Sequence, residues 1–320
     1  MEEEIRRLNA GSGTGIVRTD LACLPCFYGQ IRRTLQYAGV NGDRGRGIQR
    51  KAELVIERAS LDEVPARTTT LIHRILREET GVDPYRDVKA SYNRIALDKL
   101  PALRAAAAKY ADPLEGGARA AIAGNVIDFG IYEQIDLERA IDEAFRFPVP
   151  RHELQGFADA VNSARRILYL CDNAGEIVFD RVLIEILRAR GREVIAAVKG
   201  TPVINDATIA DAAAAGLHEC ATVIDNGNDG IGTLLEACSP RFREVYQSSD
   251  LIISKGQANF ETLVQEQDAR IYFLFKVKCP VVADFLGREN GDIVLRGGRD
   301  NAERAVRSDK HNTSATGMVR

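Results

Sequence analysis

Arg166-Ile167-Leu168-Tyr169-Leu170-Cys171-Asp172-Asn173-Ala174-Gly175-Glu176 is the stretch that decides the fold. An apolar run over 166–171 passes directly into two oxygen-bearing side chains and a glycine, and a helical pattern follows over about 176–190. A short continuous apolar run bounded by turn residues reads as a strand buried on both faces, as in parallel sheets. The pattern recurs downstream. Strand-like runs fall at 193–198, 222–225, 250–254, 271–277 and 292–296, with helical patterns between them at about 206–216, 230–247, 259–267 and 280–287. Alternation of this kind predicts right-handed βαβ crossovers, hence an α/β fold with a Rossmann-like, three-layer, mainly parallel sheet over 164–303.

Upstream the period changes. QIRRTLQYAGV, IQRKAELVIERAS, TTTLIHRILREET and DKLPALRAAAAKYA carry apolar positions at helical spacing, and ARAAIAGNVIDFG adds a further helix. An all-helical N-terminal domain over 19–163 is expected, with polar ends at 1–18 and 304–320. The 320 residues suffice for two domains and a sizeable core. A net charge of −3 gives no general attraction to nucleic acid or anionic membrane. No apolar run reaches the ~20 residues needed to span a bilayer, and the first residues lack a secretory apolar segment, so a cytoplasmic protein is expected. The oligomeric state has no signature in the sequence.

The strand ends carry the chemistry. Parallel strands align their carboxyl ends along one edge, where ligands bind. Asp172 and Asn173 follow the first strand, Asp206 the second; Lys255 and Gly256 end the fourth, with Asn259 opening the next helix. Hard oxygen donors of this type suit Mg²⁺ or Mn²⁺, and lysines with a glycine suit a phosphate. Read singly, each acid is better explained as a helix cap and Lys255 as a turn lysine on the surface; both acids at adjacent strand ends, with Asn173 and Asn205 alongside, shift the balance toward a site. The chain has no GxGxxG after the first strand and no GxxxxGK[ST]. His73, His152, His218 and His311 all lie away from strand ends, which disfavours a histidine-based triad. Six cysteines are too sparse for a disulfide scaffold. Cys171, Cys220 and Cys238 sit in apolar runs and read as core. Cys23-Leu24-Pro25-Cys26 lacks a second CxxC for zinc, but it can join Cys279 in a thiol or metal cluster.

Taken in order, DLACLPCFYGQ, AAIAGNVIDFG, LYLCDNAGEIVFDRVLIEIL, VKGTPVINDAT, VIDNGNDGIGT and DLIISKGQANFETL resemble the damage-control phosphatase family, and the CxxC resembles its stand-alone microbial members. The resemblance implies a helical region beside a Rossmann-like domain. It also implies hydrolysis of small phosphomonoesters, such as sugar phosphates or damaged metabolites, with Mn²⁺, Co²⁺, Ni²⁺ or Mg²⁺. On it, Asp172, Asn173 and Asp206 are the metal ligands and Lys278 is the late phosphate-contacting lysine; Lys255, from its place at a strand end, is expected to neutralise phosphate charge beside it. Gln257, Asn259 and Glu261 lie where the family contacts substrate, with Asn125 and Asp128 as a further motif; Glu176 and Gly256, at strand ends, are expected at the same substrate site. The late lysine lies in KVKCP, so Lys276 competes with Lys278 for that role. An S-adenosylmethionine-dependent methyltransferase and a thiol-based sensor without turnover are the other classes open at this point.

Overall fold

A computed structural model describes residues 15–126 and 137–297. Among the described residues seven α-helices precede the sheet: α1 Leu24–Tyr37, α2 Gly42–Glu57, α3 Pro65–Thr80, α4 Arg86–Ala107, α5 Pro113–Val126, α6 Leu137–Phe145 and α7 Arg151–Ser163. Then strands and helices alternate: β1 Arg166–Leu170, α8 Glu176–Ala189, β2 Glu193–Val198, α9 Ile209–Ala214, β3 Thr222–Asp225, α10 Pro240–Ser248, β4 Leu251–Lys255, α11 Gln257–Leu263, β5 Ile271–Lys276, α12 Pro280–Leu286 and β6 Ile293–Gly297. Strand order is β3-β2-β1-β4-β5-β6. Of these six strands only β6 runs antiparallel, against β5. The expected α/β class, with a mainly parallel sheet and a helical N-terminal part, is what the chain adopts.

This order reverses direction beside β1. The chain moves outward from β1 to β2 and β3, then returns to place β4 on the other side of β1. The crevice between the carboxyl ends of β1 and β4 is therefore the topological switch point, where open α/β sheets bind ligands. Leu170 of β1 pairs in register with Ala197 of β2 and Ser254 of β4, so the residues just past each converge there.

Alternate residues of β1 serve opposite cores. Ile167 and Tyr169 face a cluster built with α4–α8, whereas Leu168 and Leu170 face one built with α10–α12. That two-sided burial explains the unbroken apolar runs. Helices α4–α7 thus share their core with the sheet, while α1–α3 keep a smaller cluster of their own around Phe27, Ile31, Ile72 and Leu76. Helix α8 is buried over most of its length because it packs on the sheet on one side and against α5 on the other. Two glycines let α5 lie close. A β-carbon on Gly124 would fall 2.8 Å from the Phe179 Cβ, and one on Gly117 2.8 Å from the Ile186 Cδ1.

The helix expected over 230–247 is corrected. Only Leu235–Ala237, a 3-10 turn, and Pro240–Ser248 are helical there. Gly232 adopts φ 69°, where a β-carbon would strike the Ala258 carbonyl, and Ser239 caps α10 ahead of Pro240. The segment before α10 is a packed loop, not a helix. Helix α9 is also shorter than expected, because Thr208 and Asp211 form its capping box and exclude Asp206 from the helix.

Candidate active site at the sheet switch point

The loops after β1 and β2 pair with each other. Asn173 and Asp206 form an isolated antiparallel bridge. The Ala174 amide donates to the Asn205 carbonyl at 2.9 Å, and the Ala207 amide to the Asp172 carbonyl at 2.8 Å. This short ladder brings Asp172, Asn173 and Asp206 together at one edge. Neither aspartate caps a helix: the cap of α8 is Gly175 and that of α9 is Thr208. Two residues before Asp206, Ile204 holds φ 44°. A β-branched residue there is strained, and such strain clusters at functional loops.

Glu176 forms a third carboxylate. Asn125 Nδ2 donates to Asp172 Oδ2 at 3.1 Å and to Glu176 Oε2 at 3.0 Å. Asn173 Nδ2 donates to Asp172 Oδ2 at 2.8 Å. Asn125 is itself anchored, since its Oδ1 accepts the Lys276 amide at 2.9 Å. Desolvation pushes the Asp172 pKa well up, and the Glu176 and Asp206 charges add to it, against the pull of Lys278 and Lys255. Desolvation likewise raises that of Asp206, opposed by Lys199. The site concentrates more negative charge than its lysines offset.

Lys255 is not a surface lysine. Its side chain is fully buried, and Nζ donates to the Ala121 carbonyl at 2.8 Å, to Glu176 Oε1 at 2.7 Å and to Asp180 Oδ1 at 2.5 Å. Its protons are directed at these acceptors beneath the crevice. Burial opposes its charge, but Asp180 and Glu176 more than compensate and keep it protonated. Lys278, by contrast, is exposed at the rim and acts electrostatically on Asp172. Gly256 presses on the site floor with φ 83°.

The α11 residues line the side of the crevice. Asn259 donates to the Lys255 carbonyl at 2.8 Å and accepts from Thr233 Oγ1 at 2.8 Å. Gln257 bridges three groups. It accepts the Lys278 amide at 2.8 Å and donates to Glu261 Oε1 at 2.9 Å and to the Cys279 Sγ at 3.3 Å. Glu261 is buried, and desolvation lifts its pKa to about 7. Asp128 lies outside the described residues.

All six cysteines are free. Cys23 and Cys279 lie within electrostatic reach of each other and of Glu261, and burial pushes the Cys23 thiol up to about 11. Cys26 is exposed and accepts from Gln30 at 3.2 Å. Among the described residues no group of three or more His, Cys, Asp and Glu is placed to hold a metal ion. An ion at the switch point would therefore need an amide ligand beside its carboxylates.

Several residues of the site were not singled out as site residues from the sequence. Lys199 is buried, contacts the Gly232 carbonyl and lies 3.4 Å from Asp206 Oδ2. Asp180 sits one helical turn after Glu176, on the same helix face and flanked by apolar residues, a signal that was available. Lys89, in the first turn of α4, and Asn93, one turn on, have nothing local to mark them.

Doubly wound topology with paired acidic loops and flanking lysines at the switch point defines an α/β protein whose candidate site lies where such open sheets bind their ligands. The sequence pattern of the damage-control phosphatase ARMT1-like domain matches residues 19–294. An uncharacterized protein of Methanocaldococcus jannaschii is 40% identical over 262 residues, spanning 78% of this chain and 85% of its own. A damage-control phosphatase of Pyrococcus horikoshii is 34% identical over 282 residues, spanning 87% of this chain and 97% of its own. The crystal structure of a DUF89 family protein from Pyrococcus horikoshii superposes with a TM-score of 0.80 at 33% identity, over 88% of this chain and 99% of that one. The chain belongs to the damage-control phosphatase family. Among the described residues no helix is long and apolar enough to cross a membrane.

Proposed function

We infer that the chain is a divalent-metal-dependent phosphatase acting on small phosphomonoesters, sugar phosphates or damaged phosphometabolites among them. The observation that carries this reading is the Asn173–Asp206 bridge, which unites Asp172, Asn173 and Asp206 at the switch point. The donor set fits a hard cation: two carboxylate-bearing residues, one amide, and a carboxylate pKa driven up by burial and crowded negative charge. Asp172, Asn173 and Asp206 are the residues that would hold the ion, with Asn173 presenting Oδ1. When bound, a divalent ion supplies Lewis-acid polarisation of the phosphoryl group, which favours attack.

The chain's own residues do the rest. Lys278 at the rim offsets charge on the phosphoryl oxygens as the transition state forms. Gly256 leaves room for the Asp172 carboxylate to pack against its α-carbon. Asn125 and Lys255 fix Glu176, so the acidic wall keeps its shape while substrate exchanges. Lys255 acts through Glu176, as a positioning residue. Gln257, Asn259 and Glu261 line the wall that the ester's organic part meets, and the described helices ahead of the sheet supply the remaining cover.

A screen of sugar phosphates, nucleotides and phosphorylated cofactor fragments with Mn²⁺, Co²⁺, Ni²⁺ and Mg²⁺ tests the reading. Release of inorganic phosphate that requires added metal is expected. No hydrolysis of any ester with any of these ions would contradict it.

A further inference from the structure

Both acidic loops rest on one helix. Asn93 of α4 is buried, and each end of its amide is used. Its Oδ1 accepts the Gly175 amide at 2.7 Å, three residues past Asp172. Its Nδ2 donates to Asp211 Oδ1 at 2.9 Å, and Asp211 caps the helix that begins just after Asp206. Asp211 Oδ2 accepts the Thr208 amide at 3.0 Å and the Thr208 hydroxyl at 2.7 Å. One turn earlier on α4, Lys89 Nζ lies 3.4 Å from Asp211 Oδ2 and 3.0 Å from Asp83 Oδ2. Gly175 presses on the same helix: at φ 78°, a β-carbon there would fall 3.0 Å from the Tyr92 Cβ.

We propose that Asn93 is a positioning residue that sets the spacing between Asp172–Asn173 and Asp206, and so tunes the affinity of the site for a divalent cation. This rests on the metal-dependent reading above. The Asn173–Asp206 bridge joins the two loops only to each other. Asn93 joins both to α4, a rigid element, through one planar amide that cannot shift one loop without disturbing the other. Groups that orient metal ligands from one layer further out typically alter affinity or activity by about 10–100-fold when replaced.

The amide can be reversed. Asn93→Asp keeps the acceptor for Gly175 but sets a carboxylate against Asp211. In the double variant N93D/D211N, the amide introduced at position 211 donates back to the carboxylate introduced at position 93, and its oxygen still accepts from Thr208. The test measures Mn²⁺ binding to metal-free protein from loss of the free-Mn²⁺ electron paramagnetic resonance signal. It is run beside Tm and beside kcat and KM for p-nitrophenyl phosphate. N93D is expected to weaken Mn²⁺ binding by about tenfold or more, with KM for the ester nearly unchanged. The double variant is expected to recover most of the lost affinity. If N93D does not fold, Asn93→Ser, which removes both bonds without adding charge, carries the same comparison. Wild-type Mn²⁺ affinity in N93D or N93S would overturn the proposal, as would a double variant that recovers Tm but not affinity. A wild-type protein that neither binds Mn²⁺ nor hydrolyses the ester would instead overturn the metal-dependent reading beneath it.

Discussion

The carboxylate of Asp172 rests on the α-carbon of Gly256: an ideal β-carbon built on Gly256 would lie 2.1 Å from Asp172 Oδ2 and 2.2 Å from its Cγ. The two residues end adjacent strands, β1 and β4, on either side of the switch point. Only a glycine permits both this contact and the φ of 83°. Gly256→Ala must therefore displace Asp172 or the β4–α11 turn. Since a misplacement of about 1 Å costs around 100-fold in rate, kcat/KM for a phosphomonoester should fall by about that factor in the alanine variant. Activity near wild type would mean that the Asp172 position is not critical.

Lys255 should matter for stability as much as for rate. Lys255→Met would leave Glu176 and Asp180 buried without their cation, a change that typically costs about 3–5 kcal/mol. Urea unfolding at neutral pH measures this directly. A K255M protein as stable as wild type, yet inactive, would place Lys255 against substrate instead of beneath Glu176.

The strands were legible because burial on both faces writes itself as uninterrupted apolar runs; β1 to β6 fall within a residue or so of expectation. The helix over 230–247 was misread because helical spacing in LLEACSPRFREV continues through a loop that Gly232 and Ser239 shape by tertiary contact. The strand-end acids were legible as a set, since parallel topology dictates their convergence. Lys255 was legible as a strand-end cation but not as a buried one, because a lysine beside a glycine reads as an exposed turn, and nothing local reveals the acids of α8 that bury it. Asn93 was invisible for the same reason: its partners lie at positions 175 and 211, and mid-helix asparagine has no signature of its own.

Glu261 gives the protein a measurable pH response. Its folded pKa of about 7 stands above the ordinary 4.5, because burial disfavours the carboxylate. The folded state thus binds more protons than the unfolded state between these values. Its contribution is fully present below about pH 4.5 and is lost as pH rises through 7. The loss is bounded at about 3 kcal/mol by the linkage relation. Glu261→Gln should flatten the fall in unfolding free energy between about pH 5 and about pH 7.5 relative to wild type. Parallel curves for the two proteins would refute a buried, proton-binding Glu261.

The close contact of α5 with α8 should be intolerant of bulk beside the site. A β-carbon at Gly124 would lie 3.1 Å from the Glu176 Cγ as well as against Phe179. Gly124→Val forces these helices apart and carries Asn125 away from Asp172. Overpacking of this kind costs about 1–3 kcal/mol, and the loss of activity at a temperature where the variant is fully folded should exceed what that destabilisation explains. Unchanged kcat/KM under those conditions would show that Asn125 is dispensable.

The central claim is that Asp172 anchors a metal-dependent phosphatase site. Its pKa is raised in the fold, so ionised Asp172 costs stability near neutral pH, and Asp172→Ala should leave the metal-free protein at least as stable as wild type. The decisive measurement is Mn²⁺-dependent hydrolysis of p-nitrophenyl phosphate by wild type and D172A at matched, fully folded conditions. Metal-dependent turnover in wild type and none above background in D172A is the predicted result. Full metal-dependent turnover in D172A would contradict the account.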